Sequence, residues 1–169
     1  EFKFYYKIFI KQTSYLLDKI GANINTVPVL DVKRKKSNNV IGDRSFSSDA
    51  KIVSKIGNYC ISQFHKNNIA TVIKHIPGHG LAKTDSHKLT PIVRNKLNQL
   101  NKIDFLAFKN KKSLFAMTAH IIFKDIDKNF TVTHSDKVIK LIKNKIKFKN
   151  LLMSDDISMK SLKFSVKKN

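Results

Sequence analysis

Residues 69–87 read IATVIKHIPGHGLAKTDSH. The first eight of these residues are mainly apolar and β-branched, which predicts a buried strand. The apolar pattern stops at Pro77, Gly78 and Gly80, and from Lys74 onward the stretch carries three histidines, two lysines and one aspartate. A segment that only stabilised the fold would keep an apolar period of two or four residues. The stretch therefore predicts a strand that runs into a loop displaying polar groups.

Helical and strand-like segments alternate on both sides of this stretch. The predicted helices are 13–20 ending at Gly21, 48–68 with Ser48 or Asp49 as N-cap, a weaker one at 95–109, and 135–146 capped by Ser135. The predicted strands are 24–32, 69–76, 113–121 and 150–154. Strands separated by helices favour βαβ units, so the sequence predicts an α/β fold with a parallel sheet.

Polar side chains follow three of these strands. Lys74 and His75 stand at the end of one strand, His120 follows the next, and Asp155 and Asp156 follow the last. In an α/β barrel the catalytic residues lie where strands end and βα loops begin. This placement indicates an enzyme of the barrel type.

The charge of the chain raises a second class of function. There are 33 Lys and Arg against 12 Asp and Glu, a formal net charge of +21, which suits a nucleic-acid-binding module. Nearly all of the basic residues are lysines spread along the chain, however, and only three are arginines, the usual readers of phosphate and guanine. We therefore interpret the charge as solvated surface and expect no nucleic-acid partner. Binding that weakens steeply with salt would contradict this interpretation.

Membrane, disulfide and metal chemistry are not favoured either. No apolar run reaches the 18 or so residues of a membrane span, so we expect no membrane partner. Cys60 is the only cysteine, which excludes an intrachain disulfide, and its apolar helical setting predicts a buried side chain. His75 and His79 are separated by Pro77 and Gly78, so they cannot share one helical turn as zinc ligands do. We predict no metal and no cofactor.

Acid–base chemistry is the remaining hypothesis. Asp85 and His87 are two residues apart, so in an extended loop their side chains point the same way. A carboxylate beside an imidazole fixes its tautomer and supports its protonated form. Asp155, at a strand end, then serves as a carboxylate nucleophile or electrostatic partner. The alternative, equally compatible with the spacing, is that Asp85 only caps a turn and His87 is a surface residue.

Five segments in order resemble glycoside hydrolase family three, in its β-N-acetylhexosaminidase branch. The stretch KHIPGHGLAKTDSH resembles the family signature of a Lys-His-aromatic-Pro-Gly-His-Gly run followed by Asp-Ser-His. The other four are INTVPVLDV, IGDRSFSSD, AMTAHIIF and LLMSDDISMKSL. The resemblance covers roughly residues 13–162 and is specific because the five segments keep their order and spacing.

The resemblance implies a (β/α)8 TIM-type barrel that removes terminal β-linked N-acetylglucosamine with retention. It implies Asp155 as the nucleophile, with Asp156 as the competing candidate, and His87 as the acid/base paired with Asp85. The residues implied to hold the sugar are Arg44, Lys74 and His75. Asp31 and His120 are implied as supports, and Gly78 and Gly80 as residues that serve backbone conformation.

Departures from the family pattern and the chain length shape the remaining expectations. Leu81 and Ala82 stand where the family often has Asp-Thr, Ile76 replaces the usual Phe, and no residue matches the sugar-binding Asp-x-Glu-Gly-Gly-Arg segment. A full barrel needs roughly 200–250 residues. We therefore expect residues 1–169 to form one incomplete barrel domain lacking the opening strands and the final strand. Open edges favour aggregation, so we expect this chain alone to fold poorly and to show little activity.

The branch with short single-domain chains also suggests a substrate and a location. It implies muropeptide fragments, in which N-acetylglucosamine is linked to anhydro-N-acetylmuramic acid, and a role in cytoplasmic peptidoglycan recycling by a monomer. Action on other β-glycosides remains the alternative within the family.

Overall fold

The computed structural model describes residues 1–34 and 40–162, so part of the predicted 1–169 domain lies outside the described residues. The helices are α1 Phe2–Lys19, α2 Ala50–Lys66, α3 Leu97–Lys102, α4 Asp104–Phe108 and α5 Asp136–Leu141. The strands are β1 Ile24–Asn25, β2 Ala70–Ile76, β3 Ile92–Val93, β4 Phe115–Thr118, β5 Ile122–Phe123 and β6 Leu151–Ser154.

Four of the strands form a parallel sheet in the order β1-β2-β4-β6. Helices lie between consecutive members of this sheet along the chain, as parallel pairing requires. The prediction of an α/β fold with a parallel sheet of the barrel type is confirmed. The strands β3 and β5 form a second, two-stranded parallel ladder that the sequence analysis missed because each is only two residues long.

The predicted strand 24–32 is wrong beyond residue 25. Pro28 has no N–H to donate to a ladder, and after β1 the chain returns to β2 only through a bridge between Val29 and Lys74. The backbone N–H of Leu30 donates to the carbonyl of Lys74 at 2.7 Å. This irregular segment brings residue 31 beside the end of β2.

The ends of the helices follow both capping chemistry and tertiary contacts. Asp49 caps α2 by accepting from the N–H of Lys51, and Ser135 caps α5 by accepting from the N–H of Val138, as predicted. The helix predicted at 13–20 instead begins at Phe2, because its first turns pack against α2. The helix predicted at 135–146 changes to a π-helix at Ile142–Ile146.

The core lies between the sheet and the helices on its outer side. The helix α2 contributes Val53 and Ile61 to it. Phe64 and Cys60, which is fully buried as predicted, instead pack with Ile10 of α1 in a second cluster. Ile52, near the start of α2, is 46% exposed. No helix within residues 1–34 and 40–162 combines the length and the hydropathy needed to cross a membrane.

Candidate active site

The carboxyl ends of β2 and β6 bring a histidine and an aspartate together. The strands pair indirectly through β4, so the polar residues that end them share one edge of the sheet. Asp155, directly after β6, places its Oδ2 atom 3.9 Å from Nε2 of His75. The side chain of Asp155 is 25% exposed, so it is in part accessible to solvent.

Asp31 is the buried centre of this edge. Its side chain is fully buried, and its Oδ2 atom lies 2.7 Å from Nδ1 of His75. The same carboxylate accepts the backbone N–H of His75 at 3.2 Å and that of His79 at 2.6 Å. Because a carboxylate only accepts hydrogen bonds, Nδ1 of His75 carries a proton and Nε2 faces Asp155. Asp31 therefore fixes the orientation of His75.

The protonation of Asp31 reflects two opposing effects. Burial acts to raise its pKa, but the charge and hydrogen bond of His75, with a smaller contribution from His79, outweigh burial and hold the pKa below its usual value. Asp31 therefore stays ionised inside the protein. The role of support predicted for this residue is consistent with its contacts.

The glycines of the loop after β2 are required by close backbone packing. Gly78 has φ of +141°, and a Cβ atom there would lie 2.9 Å from Cβ of Asp104. A Cβ atom on Gly80 would collide with the backbone carbonyl of Val32. Both positions therefore serve backbone conformation, as predicted, although only Gly78 does so through a positive φ.

Asp85 and His87 form the predicted pair through a turn. The Oδ1 atom of Asp85 lies 2.8 Å from Nδ1 of His87 and also accepts the backbone N–H of His87 at 2.9 Å. The carbonyl of Asp85 accepts from the N–H groups of Lys88 and Leu89, so the loop is turned and the expected extended conformation is wrong. The backbone N–H of His87, followed by its ring, lowers the pKa of Asp85 below its usual value.

Arg44 and Lys74 supply positive charge at the same edge. Lys74 lies in β2 and donates to Oγ1 of Thr26 at 3.3 Å, while Arg44 ends the 3-10 turn Gly42–Arg44 and donates to the carbonyl of Val40. Burial, then the charge of Arg44, lowers the pKa of Lys74, and Asp155 and Asp31 partly oppose this. The two cations therefore lie close enough to interact, beside the carboxylates.

His120 holds the backbone that follows β6. Its Nε2 atom donates to the carbonyl of Asp156 at 3.0 Å, which leaves Nδ1 to bond with Oγ1 of Thr133 at 2.8 Å. The carboxylate of Asp156 is occupied with the N–H and hydroxyl of Ser158, and these bonds lower its pKa. Of the two adjacent aspartates, it is Asp155 whose carboxylate faces His75.

Comparison with known proteins agrees with this architecture. Residues 7–169 match the family model for the glycosyl hydrolase family 3 N terminal domain. The chain belongs to glycosyl hydrolase family 3. The resemblance seen in the sequence is therefore confirmed at the level of the family.

The chain is similar to parts of longer relatives and solved structures. It is 34% identical over 120 residues to β-hexosaminidase A of Pseudoalteromonas piscicida, covering 69% of this chain and 20% of that protein. It is 32% identical to the β-hexosaminidase of Idiomarina loihiensis, covering 83% and 42%. A family 3 β-N-acetylglucosaminidase from a Paenibacillus species superposes with a TM-score of 0.82 at 29% identity, covering 86% of this chain and 28% of that one. The chain thus spans less than half the length of these relatives.

A buried ion pair beside the family 3 site was missed in the sequence analysis. Arg34 donates to Oδ2 of Asp104 at 2.8 Å, and the Asp104 side chain is 2% exposed. Burial raises the pKa of Asp104, and Arg34 opposes this rise. The only signal in the sequence was an aspartate at the start of the apolar run DFLAF, because its partner is 70 residues away.

The histidines of the site do not assemble a metal centre. The rings of His75 and His79 meet edge to face with centroids 5.5 Å apart. Within the described part of the chain, no group of three or more His, Cys, Asp or Glu side chains is arranged to hold a metal ion.

Proposed function

We propose that this family 3 site hydrolyses terminal N-acetyl-β-glucosaminides with retention of configuration, using Asp155 as nucleophile and the Asp85–His87 pair as acid/base. The observation that carries the proposal is the position of Asp155, which ends β6 beside a histidine oriented by Asp31. The charge of His87 contributes to lowering the pKa of the adjacent Asp156, which supports placing the pair near the same strand end. The similarity to β-hexosaminidases and to a β-N-acetylglucosaminidase supports the choice of N-acetylglucosamine.

In the first step, a carboxylate oxygen of Asp155 bonds to the anomeric carbon as the bond to the leaving oxygen breaks. His87 gives its Nε2 proton to that oxygen, so the aglycone leaves as a neutral alcohol. Asp85 accepts from Nδ1 of His87, and this contact assigns the exchanging proton to Nε2.

In the second step, neutral His87 takes a proton from water, and the water oxygen bonds to the anomeric carbon. The bond to Asp155 breaks, the carboxylate is restored, and two inversions give net retention. A histidine replaces the usual second carboxylate, and an imidazole suits both steps because it can donate a proton in the first and accept one in the second.

Arg44, Lys74 and His75 are proposed to hold the sugar. Arginine and lysine only donate hydrogen bonds, which suits the hydroxyl and acetamido oxygens of N-acetylglucosamine. We extend the proposal to muropeptide fragments as substrates, to a recycling role in the cytoplasm and to a monomeric barrel domain over residues 1–169. Such fragments are anionic, and a net charge of +21 would raise their local concentration.

The test is hydrolysis of an aryl N-acetyl-β-glucosaminide by this chain and by a longer chain that contains it. We expect Asp155→Ala and His87→Ala each to remove most of the activity of whichever chain is active. A fluorinated N-acetylglucosamine analogue should trap a covalent adduct, and peptide mapping should place it on Asp155. Full activity in either variant, or an adduct on Asp156, would contradict the assignment.

A further inference from the structure

Two buried polar side chains near the site take no part in the proposed reaction. His79 and Ser86 are each only 4% exposed, and Nε2 of His79 lies 3.2 Å from Oγ of Ser86. Burying a polar group is unfavourable unless it is hydrogen-bonded, so this bond stabilises both side chains in place.

Ser86 stands between the two members of the acid/base pair in the chain. Of residues 81–90, only Ala82 and Ser86 are buried, whereas the side chain of His87 is 67% exposed. The backbone bonds made by the carbonyl of Asp85 stay within the loop. They shape the turn but do not attach it to the rest of the protein. Two side chains make that attachment: Ser86 through His79, directly between Asp85 and His87, and Thr90, three residues after His87, by donating to the carbonyl of Ser161 at 2.6 Å.

His79 is also bonded to Asp31, the buried centre of the site. Its backbone N–H donates to Asp31 at 2.6 Å, and its ring packs against the ring of His75. His79 therefore links Asp31 to Ser86, because its backbone N–H is bonded to Asp31 and its ring Nε2 is bonded to Ser86. Asp31 also orients His75, which lies beside Asp155.

We propose that His79 and Ser86 are positioning residues whose hydrogen bond fixes the Asp85–His87 pair relative to the carboxylate of Asp155. The inference rests on the proposed function of that pair. The local turn keeps Asp85 and His87 together without Ser86, but it does not set their distance from Asp155. A general acid must reach the leaving oxygen, and a displacement of about 1 Å can reduce the rate by roughly a hundredfold.

The test compares Ser86→Ala with Ser14→Ala as its matched control. Ser14 is also 4% exposed, but its hydroxyl has no hydrogen-bond partner among the described residues. The substrates are the methyl and dinitrophenyl N-acetyl-β-glucosaminides. A methyl glycoside needs a proton on its leaving oxygen, whereas dinitrophenolate departs without one.

For Ser86→Ala we expect kcat/KM on the methyl glycoside to fall roughly tenfold to a hundredfold, with little change in kcat/KM on the dinitrophenyl glycoside. The comparison uses kcat/KM because it reports the first step, in which only the methyl leaving group needs the proton. His79→Phe should reproduce this selectivity, and the double variant should be no worse than either single variant. His79→Gln, which keeps an amide near the position of Nε2, should recover most of the rate. Ser14→Ala should leave both rates unchanged.

Hydrogen exchange of the backbone amides gives a readout that does not depend on catalysis. Ser86→Ala should accelerate exchange in residues 81–89 and leave the amides of α2 unchanged. If the wild-type chain hydrolyses neither glycoside, the proposed activity of this chain fails, and the exchange result alone decides whether the bond holds the loop. Unchanged loop exchange in Ser86→Ala, or equal losses of kcat/KM on the two glycosides, would overturn the inference.

Discussion

The site contains two aspartate–histidine pairs with nearly the same contact distance and very different surroundings. Oδ2 of Asp31 lies 2.7 Å from Nδ1 of His75, and the two side chains are 0% and 9% exposed. Oδ1 of Asp85 lies 2.8 Å from Nδ1 of His87, but these side chains are 28% and 67% exposed. The buried carboxylate also binds two backbone N–H groups, whereas the exposed one closes a local turn. Distance alone therefore does not show what such a pair contributes. Burial makes the first pair part of the fold, whereas the exposure of the second pair suits the proton exchange that we propose for it.

Removal of the buried carboxylate should give the largest effect on stability. Asp31→Ala leaves three hydrogen-bond donors without their acceptor inside the protein, so we expect the free energy of unfolding to fall by about 3–5 kcal/mol. Urea unfolding followed by circular dichroism measures this loss. A loss equal to that of Asp85→Ala would remove the distinction between the two pairs.

Acid should remove the contribution of Asp31 within a defined pH window. The pKa of Asp31 in the folded chain is below its unfolded value, so its contribution to stability is complete above the unfolded pKa, about 3.9. It is lost as the pH falls through the folded pKa. The difference in unfolding free energy between wild type and Asp31→Ala should therefore shrink below about pH 4. A difference that stays constant down to strong acid would show that Asp31 acts without its charge.

A buried ammonium group extends the comparison, because within the described residues its hydrogen bonds go to neutral oxygens. Lys111 is 5% exposed, and it donates to Oγ of Ser54 at 2.8 Å and to the carbonyl of Lys109 at 3.1 Å. Burial lowers the pKa of Lys111 to about 8. The folded chain thus binds fewer protons than the unfolded chain between about pH 8 and the unfolded pKa near 10.4, and stability rises with pH across that window.

We therefore expect Lys111→Met to stabilise the chain at pH 7, by on the order of 2 kcal/mol, and to abolish the rise in stability at alkaline pH. Thermal unfolding measured at pH 7 and across the alkaline window tests this. A destabilised Lys111→Met variant would show that the two hydrogen bonds outweigh the cost of burying the ammonium group. Lys112→Met, at an exposed neighbouring position, is the control.

Removal of the exposed carboxylate should give the smallest effect on stability. For Asp85→Ala we expect little change in the urea midpoint of unfolding, because water and salt screen an exposed pair. The same variant should nevertheless remove most of the proposed hydrolase activity, since His87 loses the partner that fixes its tautomer. Unfolding and activity measured on one preparation separate the two effects. A large loss of stability would contradict the assignment of this pair to chemistry.

The fold class could be predicted because it depends on local patterns. Alternating strand and helix signals, together with the caps at Asp49 and Ser135, are local in the sequence. The early start of α1 depends on packing against α2, and the strands β3 and β5 exist only because they meet each other in space. Neither feature leaves a pattern in its own segment.

The candidate site also has contacts that local sequence could predict and contacts that it could not. The Asp85–His87 contact was predictable because the two residues are close in the chain, although the turn that produces the contact was not. The bonds from Asp31 to His75 and His79 span more than 40 residues, so no spacing rule could give them. The bond between His79 and Ser86 was missed because polar residues in a loop are usually solvated.

The two outer strands of the parallel sheet restrict the symmetry with which copies of the chain could associate through that sheet. Within the described residues, β1 and β6 each have a partner on one side only. They are different strands that point in the same direction, so continuing the parallel ladder would join β6 of one copy to β1 of the next. Such a contact is heterologous, and repetition gives a ring when the rotation closes and an open filament when it does not. A two-fold symmetric dimer cannot continue this ladder, because its axis would pair β6 with β6 in antiparallel orientation.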